Sequence, residues 1–245
     1  MERREEECAI EYWERVFESF QPYEVKDDEK FVFLKPITEN LAGKKVLEIG
    51  CGRGEMSVFL AKKGAAVVAI DNTENAVQCA QRLADFNKVS LDCRKLDAMQ
   101  IDELEDTYDY VVGKYVLHHI EPFSEFVPKM SCVLKEGGIG LFWENSDANK
   151  LLMLCRNYLV GRFGIPRHGD GVEIPFQAQE IAMLKTHFKT VNVVYLEMLF
   201  WRMLGTYIFR KNKKIQTALA NLDSIFYKYL PIFNRYSYNQ VIRFE

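Results

Sequence analysis

No closely spaced cysteine pair occurs in this chain. Its six cysteines, Cys8, Cys51, Cys79, Cys93, Cys132 and Cys155, stand apart without a CxxC, and its four histidines include only one adjacent pair. Structural zinc and redox dithiols need ligands at short fixed spacings, so neither is expected, and no metal site is assigned. Disulfide frameworks belong mainly to small secreted chains, and these 245 residues are not one. Charge of one sign is also lacking. The 32 Lys and Arg face 35 Asp and Glu, a net charge of −3, which gives no general footprint for nucleic acid. The run RKNKK at 210–214 is a local exception. Nor is there a long hydrophobic run. The most apolar stretch, VVYLEMLFWRMLGTYIF, is broken by Glu197 and Arg202 and does not read as a bilayer span. The opening MERREEECAIEYWERVFESF is acidic and amphipathic, without a signal peptide's apolar centre. Repeats and low-complexity linkers are missing too. These absences leave the expectation of a reduced, cytoplasmic protein with one domain over 1–245 and a real core.

What is present is a rhythm. Ile10, Trp13, Val16, Phe17 and Phe20 fall at helical spacing near the start. From Lys44 onward, short β-rich runs (KVLEI, AVVAI, VSLDC, YDYVVG, IGLFW) alternate with helical segments. One of these, TENAVQCAQRLADFN, puts Ala76, Val77, Ala80, Leu83 and Ala84 on one face, with Asn72 or Thr73 placed to cap it. Strand runs separated by helices predict a parallel sheet with crossover connections. After Trp143 the pattern turns helical, with further strands expected near 190–199 and at YSYNQVIRF.

The densest signal is VLEIGCGRGEMSVFLAKKGAAVVAID. Gly50, Gly52 and Gly54 follow a buried strand directly and open a helix. In a parallel sheet such a turn lies at the carboxyl edge, where ligands bind. Asp71 ends the next strand beside it, and a carboxylate there can accept hydrogen bonds from ribose hydroxyls. The spacing is GxGxG, not the GxGxxG of a dinucleotide site. Glu48, two residues before the first glycine, would repel a pyrophosphate yet suit a ligand bearing an ammonium or sulfonium charge.

With these residues in place, the chain resembles the class I S-adenosylmethionine-dependent methyltransferases across about 44–145. VLEIGCGRG is similar to the family's first motif, VVAID to its second, LDAM to the adenine-side acid, and YDYVVGKYVLHHI and VLKEGGIGLFWE to its fourth and fifth strand regions. The resemblance implies an α/β, doubly wound, mostly parallel seven-stranded sheet with N-terminal helices and helical caps. It implies S-adenosyl-L-methionine as cofactor and S-adenosyl-L-homocysteine as product. The implied site is Glu48, Gly50, Cys51, Gly52, Gly54, Asp71 and Asn72, with Asp97 and Ala98 at the adenine and the Lys114 backbone near the methionine portion. Within the one domain, 1–40 would form an N-terminal helical cap, 41–145 the cofactor-binding core, and 146–188 and 200–235 substrate-cap insertions.

Candidates for the acceptor side are spread out. His118 and His119 follow the fourth strand and are candidate bases, or packing residues. GIPRHGDGVEIPF, 164–176, reads either as a lid, with Arg167 and Asp170 on the substrate and His168 as a third candidate base, or as a solvated connection. Glu144 could bind an amine or cap the next helix. Tyr12, Trp13 and Tyr23 could fold over the cofactor or join the core. In the family a short hairpin usually joins the last two strands, whereas about 35 residues separate Phe200 from Tyr236 here. That segment could wall a hydrophobic pocket, touch an anionic membrane peripherally, form a dimer face, or pack as an added helical pair. Two caps favour a small-molecule acceptor, methylated on O or N. A protein or nucleic-acid methyltransferase is the second reading, disfavoured because no Asn/Asp-Pro-Pro-aromatic motif follows the fourth strand. A non-catalytic cofactor-binding scaffold is the third.

Overall fold

The structure is a computed structural model that describes residues 2–26, 29–159, 162, 174–209 and 212–245. In chain order it runs α1 (Glu2–Phe17), α2 (Lys35–Thr38), β1 (Lys45–Ile49), α3 (Glu55–Lys62), β2 (Ala66–Asp71), α4 (Glu74–Asn87) and β3 (Asp92–Lys95). It continues through β4 (Tyr108–Lys114), α5 (Phe123–Val133), β5 (Leu134–Asn145), α6 (Lys150–Leu159), α7 (Ala178–His187) and β6 (Val191–Val194). Last come α8 (Trp201–Ile208), α9 (Lys213–Tyr229) and β7 (Asn239–Phe244). The seven strands form one sheet in the order β3-β2-β1-β4-β5-β7-β6, parallel except for β7, which pairs antiparallel with both β5 and β6. The doubly wound, mostly parallel sheet is the one expected.

Alternation along β1 divides the core. Val46 faces the layer of α2, α3 and α4, with Leu34, Ile37, Val58, Leu60 and Leu83. Leu47 and Ile49 face the opposite layer, with Val111, Phe126, Met130, Phe142 and Phe244. Side chains alternate with period two, so Glu48 shares Val46's face and points under α3. Strand order reverses between β1 and β4, which opens a crevice at their carboxyl ends.

Two boundaries differ from the expectation. β3 begins at Asp92, not Val89, because the ladder with β2 starts at the pair Val68↔Asp92. β5 is 12 residues long, far beyond IGLFW, since it pairs with β4 from Tyr108↔Leu134 and with β7 as far as Asn145↔Asn239. The insertions after β5 and β6 pack together. Leu152 of α6, Met198 and Phe200 make a third core, onto which Trp201, Phe226, Tyr236 and Tyr238 pack.

Candidate active site

The turn after β1 is built by φ angles and by crowding. Gly50, Gly52 and Gly54 have φ of +68°, +51° and +77°, a region that costs other residues about 1–2 kcal/mol. A Cβ on Gly54 would lie 2.6 Å from the Ala80 Cβ of α4, and one on Gly50 would lie 2.6 Å from a Val116 methyl. These two glycines therefore admit neighbouring protein, where the expectation was room for a ligand. At Gly52 a Cβ would meet only the Phe17 ring, at 3.5 Å.

Asp71 ties this turn to its neighbours. Its Oδ2 accepts from the Gly52 N–H at 2.9 Å, and its Oδ1 accepts from the Thr73 N–H at 3.0 Å and hydroxyl at 2.8 Å. A carboxylate has about four lone-pair directions, so roughly one stays open on Oδ2. Two ribose hydroxyls cannot both be served without displacing a bond already made. Burial pushes the Asp71 pKa up, opposed by the Gly52 and Thr73 hydrogen bonds and reinforced by the nearby Glu14 charge. The Leu96 N–H donates to the Asp71 carbonyl, which brings Asp97 to the same edge. Asp97 caps the turn that follows, accepting from the Met99 N–H at 2.8 Å, with half-buried Ala98 next to it. Asn72 is exposed on the rim.

Glu48 is 2% exposed and accepts a short hydrogen bond from the Ser57 hydroxyl of α3. Burial, with a contribution from the Asp71 charge, pushes its pKa up to about 8, against the pull of Ser57. A carboxyl in that position ionises readily only when a cation arrives. Cys51 is buried with Ala69 and Ala80, and burial drives its thiol pKa up, so only its backbone can face a ligand.

The far side of the crevice is the turn after β4. Tyr115 has φ of +54°, and the Val116 and Leu117 N–H groups both donate to Glu144 Oε1 at 2.8 Å. His118 Nδ1 lies 2.6 Å from Glu144 Oε2. Glu144 is fully buried, so the expectation that it binds a substrate amine is corrected: its oxygens hold this turn. The His118 side chain is 2% exposed. His119 is the exposed member, its ring 4.1 Å from His118 and edge-on to Trp13 at 6.3 Å. The Lys114 ammonium lies over the Trp143 ring at 4.8 Å.

Helix α1 crosses the mouth. Phe17 meets Gly52, Trp13 meets His119, and half-buried Tyr12 packs on Trp13 at 5.2 Å. Tyr23 is 39% exposed and packs on Phe20, away from these contacts. The Glu14 carboxylate accepts from the Glu74 and Asn75 N–H groups and so caps α4, because Thr73 has turned its hydroxyl to Asp71. Arg167, His168 and Asp170 lie outside the described residues. Sequence reasoning missed Ser57, Glu14 and the Glu144 cradle. A lone serine on the apolar face of α3 was a usable signal for the first, but nothing in the sequence marked the other two.

Known proteins resemble this chain in sequence and fold. A family described as a methyltransferase domain matches residues 46–138. The ubiquinone biosynthesis O-methyltransferase of Rhizobium etli is 33% identical over 99 residues, covering 40% of this chain and 40% of that enzyme. The chain thus spans two fifths of that curated relative's length. The enzyme of the same name from Actinobacillus pleuropneumoniae is 26% identical over 161 residues, covering 64% of this chain and 67% of the relative. The N-methyltransferase NodS of Bradyrhizobium japonicum, solved with S-adenosyl-L-homocysteine, superposes with a TM-score of 0.59 at 16% identity, covering 97% of each chain. Residues 46–138 match the methyltransferase-domain family model, and the seven-stranded, mostly parallel sheet around them is the fold of solved methyltransferases such as that one.

Proposed function

We propose that this protein transfers a methyl group from S-adenosyl-L-methionine to an oxygen or nitrogen of a small hydrophobic acceptor. One observation carries the reading: two carboxyl groups, Glu48 and Asp71, flank a left-handed glycine turn at the sheet's switch point, and one of them is buried against a single serine. That donor set suits a cationic ligand with a hydroxylated sugar. Glu48 would hold the ammonium, the open lone pair of Asp71 a ribose hydroxyl, Asp97 and Ala98 the adenine edge, and the Gly50, Gly52 and Lys114 backbones the methionine portion. When bound, the cofactor supplies a methyl on a sulfonium, ready for in-line displacement. The protein supplies alignment and a dry site, and α1 lies where it excludes water.

His119 is the base this geometry favours, since its ring is exposed at the crevice while His118 is held against Glu144. His118 and Glu144 then act as positioning residues. A pH–rate limb that disappears in His119→Asn and survives in His118→Asn supports this division; a limb that neither substitution moves removes both from acid–base roles. The names of the rhizobial and Actinobacillus relatives favour oxygen as the acceptor atom and a quinone-like compound as the acceptor. Of the roles open to residues 200–235, the inner face fits an added helical pair packed on the third core, and the outer face fits a surface contact. The deciding experiment is label transfer from methyl-labelled S-adenosyl-L-methionine into a cell extract, partitioned into organic, aqueous and macromolecular fractions. Label in the organic phase supports the hydrophobic acceptor. Label on protein or nucleic acid overturns it.

A further inference from the structure

Helix α9 has two apolar faces, and the fold uses one. Inward, Leu219 packs against Gly205 of α8, Phe226 joins the third core, and Asp223 caps α8 by accepting from the Phe200, Trp201 and Arg202 N–H groups at 2.8–3.1 Å. Outward, Leu222, Ile225 and Tyr229 stand at helical spacing, 37%, 48% and 66% exposed. The following turn extends this stripe with Leu230 and Ile232, 42% and 70% exposed, while the Phe233 ring packs back on Phe226 and Tyr236. Beside the stripe, at 100° per residue, run Lys214 and Lys228, both exposed.

Charge over this region is segregated. From Trp201 to Tyr236 the sequence holds seven of the chain's 32 basic residues and one of its 35 acidic ones. The one acid is Asp223, which is buried and committed to capping α8. The segment presents a basic, apolar surface on a chain whose net charge is −3.

We propose that the outer face of α9 and the turn after it dock this protein on an anionic lipid bilayer. A helix with an apolar stripe flanked by lysines lies in the headgroup plane, its stripe in the acyl boundary and its cations on the phosphates. No described helix is long and apolar enough to cross a membrane, so the contact is peripheral. A second copy fits less well, because a twofold interface packs the same patch against itself and would gather the lysines of both copies into one contact. The inference stands on this surface alone and does not depend on the acceptor.

The test is co-sedimentation with vesicles of phosphatidylcholine alone and of phosphatidylcholine with about one third phosphatidylglycerol. Binding to the anionic vesicles that weakens with salt is expected. K214A/K228A, on exposed positions that leave the core intact, should weaken it roughly twenty-five-fold, about fivefold per cation. Y229A/I232A should weaken it roughly tenfold while keeping the salt dependence. Unchanged S-adenosyl-L-methionine affinity in each variant shows that the fold and the cofactor reading are untouched. No vesicle binding, or equal binding to neutral and anionic vesicles, overturns the proposal. A wild-type dimer that Y229A/I232A dissociates, with vesicles ignored, assigns the face to a second copy and overturns it too.

Discussion

The pKa of Glu48 makes cofactor binding a proton-linked event, and Glu48→Gln tests it. With the folded-state value raised to about 8, roughly one molecule in ten carries the ionised carboxylate at neutral pH. A ligand ammonium at this carboxyl favours the charged form, so binding must release the proton. Near pH 7 about 0.9 proton should leave per ligand bound. Between about pH 6 and pH 8 the affinity should rise close to tenfold per pH unit, then level off. The glutamine keeps the shape and can still accept from Ser57, but it has no proton to release. Charge-assisted hydrogen bonds are worth about 1.5–3 kcal/mol, or one to two decades of affinity. The variant should therefore bind more weakly above pH 8, converge with wild type toward pH 6, and show a flat profile. Titration calorimetry in two buffers of different ionisation enthalpy reads the proton count directly. A wild-type affinity independent of pH across this range, or a slope that survives in Glu48→Gln, would falsify the assignment.

The same shift has a stability consequence of opposite sense. The folded-state pKa of Glu48 lies above the ordinary 4.5, so folding favours the protonated acid. This contribution is complete below the unfolded pKa and is lost as pH rises to about 8, at most about 5 kcal/mol in all. Without ligand, Glu48→Gln should melt above wild type near pH 8, and the two should approach each other in mild acid.

Other perturbations have equally definite outcomes. Asp71→Ala should lower cofactor affinity by one to two decades and also lower the melting temperature, because three donors lose their acceptor at about 1 kcal/mol or more each. Gly54→Ala combines a left-handed φ with clashes of 2.6 Å and 2.7 Å against the Ala80 Cβ and Cα and should cost about 2–5 kcal/mol; because the Cα is backbone, adding Ala80→Gly should recover only a minor part of that cost, as chemical denaturation would show. Glu144→Ala leaves two buried N–H groups and an imidazole without their acceptor, so a loss of about 3–5 kcal/mol is expected, whereas Glu144→Gln should keep the fold and lower kcat more than it raises the cofactor KM. Glu14→Ala should cost about 1 kcal/mol as a lost cap and accelerate cofactor exchange, measurable by stopped-flow fluorescence.

How legible all this was in the sequence depends on distance along the chain. The β1–turn–α3–β2 unit could be read because its signals are local: an apolar run, three alternate glycines, and Asp71 at the next strand end. Even the side on which Glu48 lies follows from β alternation once Val46 is known to be buried. Contacts between distant segments could not be read. Glu144 meets Val116, Leu117 and His118 across 26–28 residues, and Glu14 meets Glu74 and Asn75 across about 60. Neither partner carries a pattern that names the other. Glu144 looked like a free acid past a strand, and only the ladder of β4 with β5 turns it toward the 115–118 turn. In the same way, the apolar residues of 200–235 left a pocket wall, a membrane contact, a dimer face and an added helical pair all open, and only the packed structure separates the face of α9 that meets α8 from the face that meets solvent.

The arrangement of acids around the glycine turn bears on what the site can accept. Burial raises the pKa of both Asp71 and Glu48, Glu14 adds to it at Asp71 and Asp71 adds to it at Glu48, so negative charge on these acids of α1, β2 and β1 is unfavourable pairwise along the turn. Left unpaired, such a group is unfavourable, and the protein relieves it by keeping Glu48 protonated and by giving Glu14 and Asp71 backbone donors. A pyrophosphate placed here would worsen every one of these repulsions. A ligand with a positive charge relieves them together, and it draws most from the acid that has the fewest donors, Glu48. An uncharged or anionic nucleoside of the same shape should therefore bind more weakly and release no proton from Glu48.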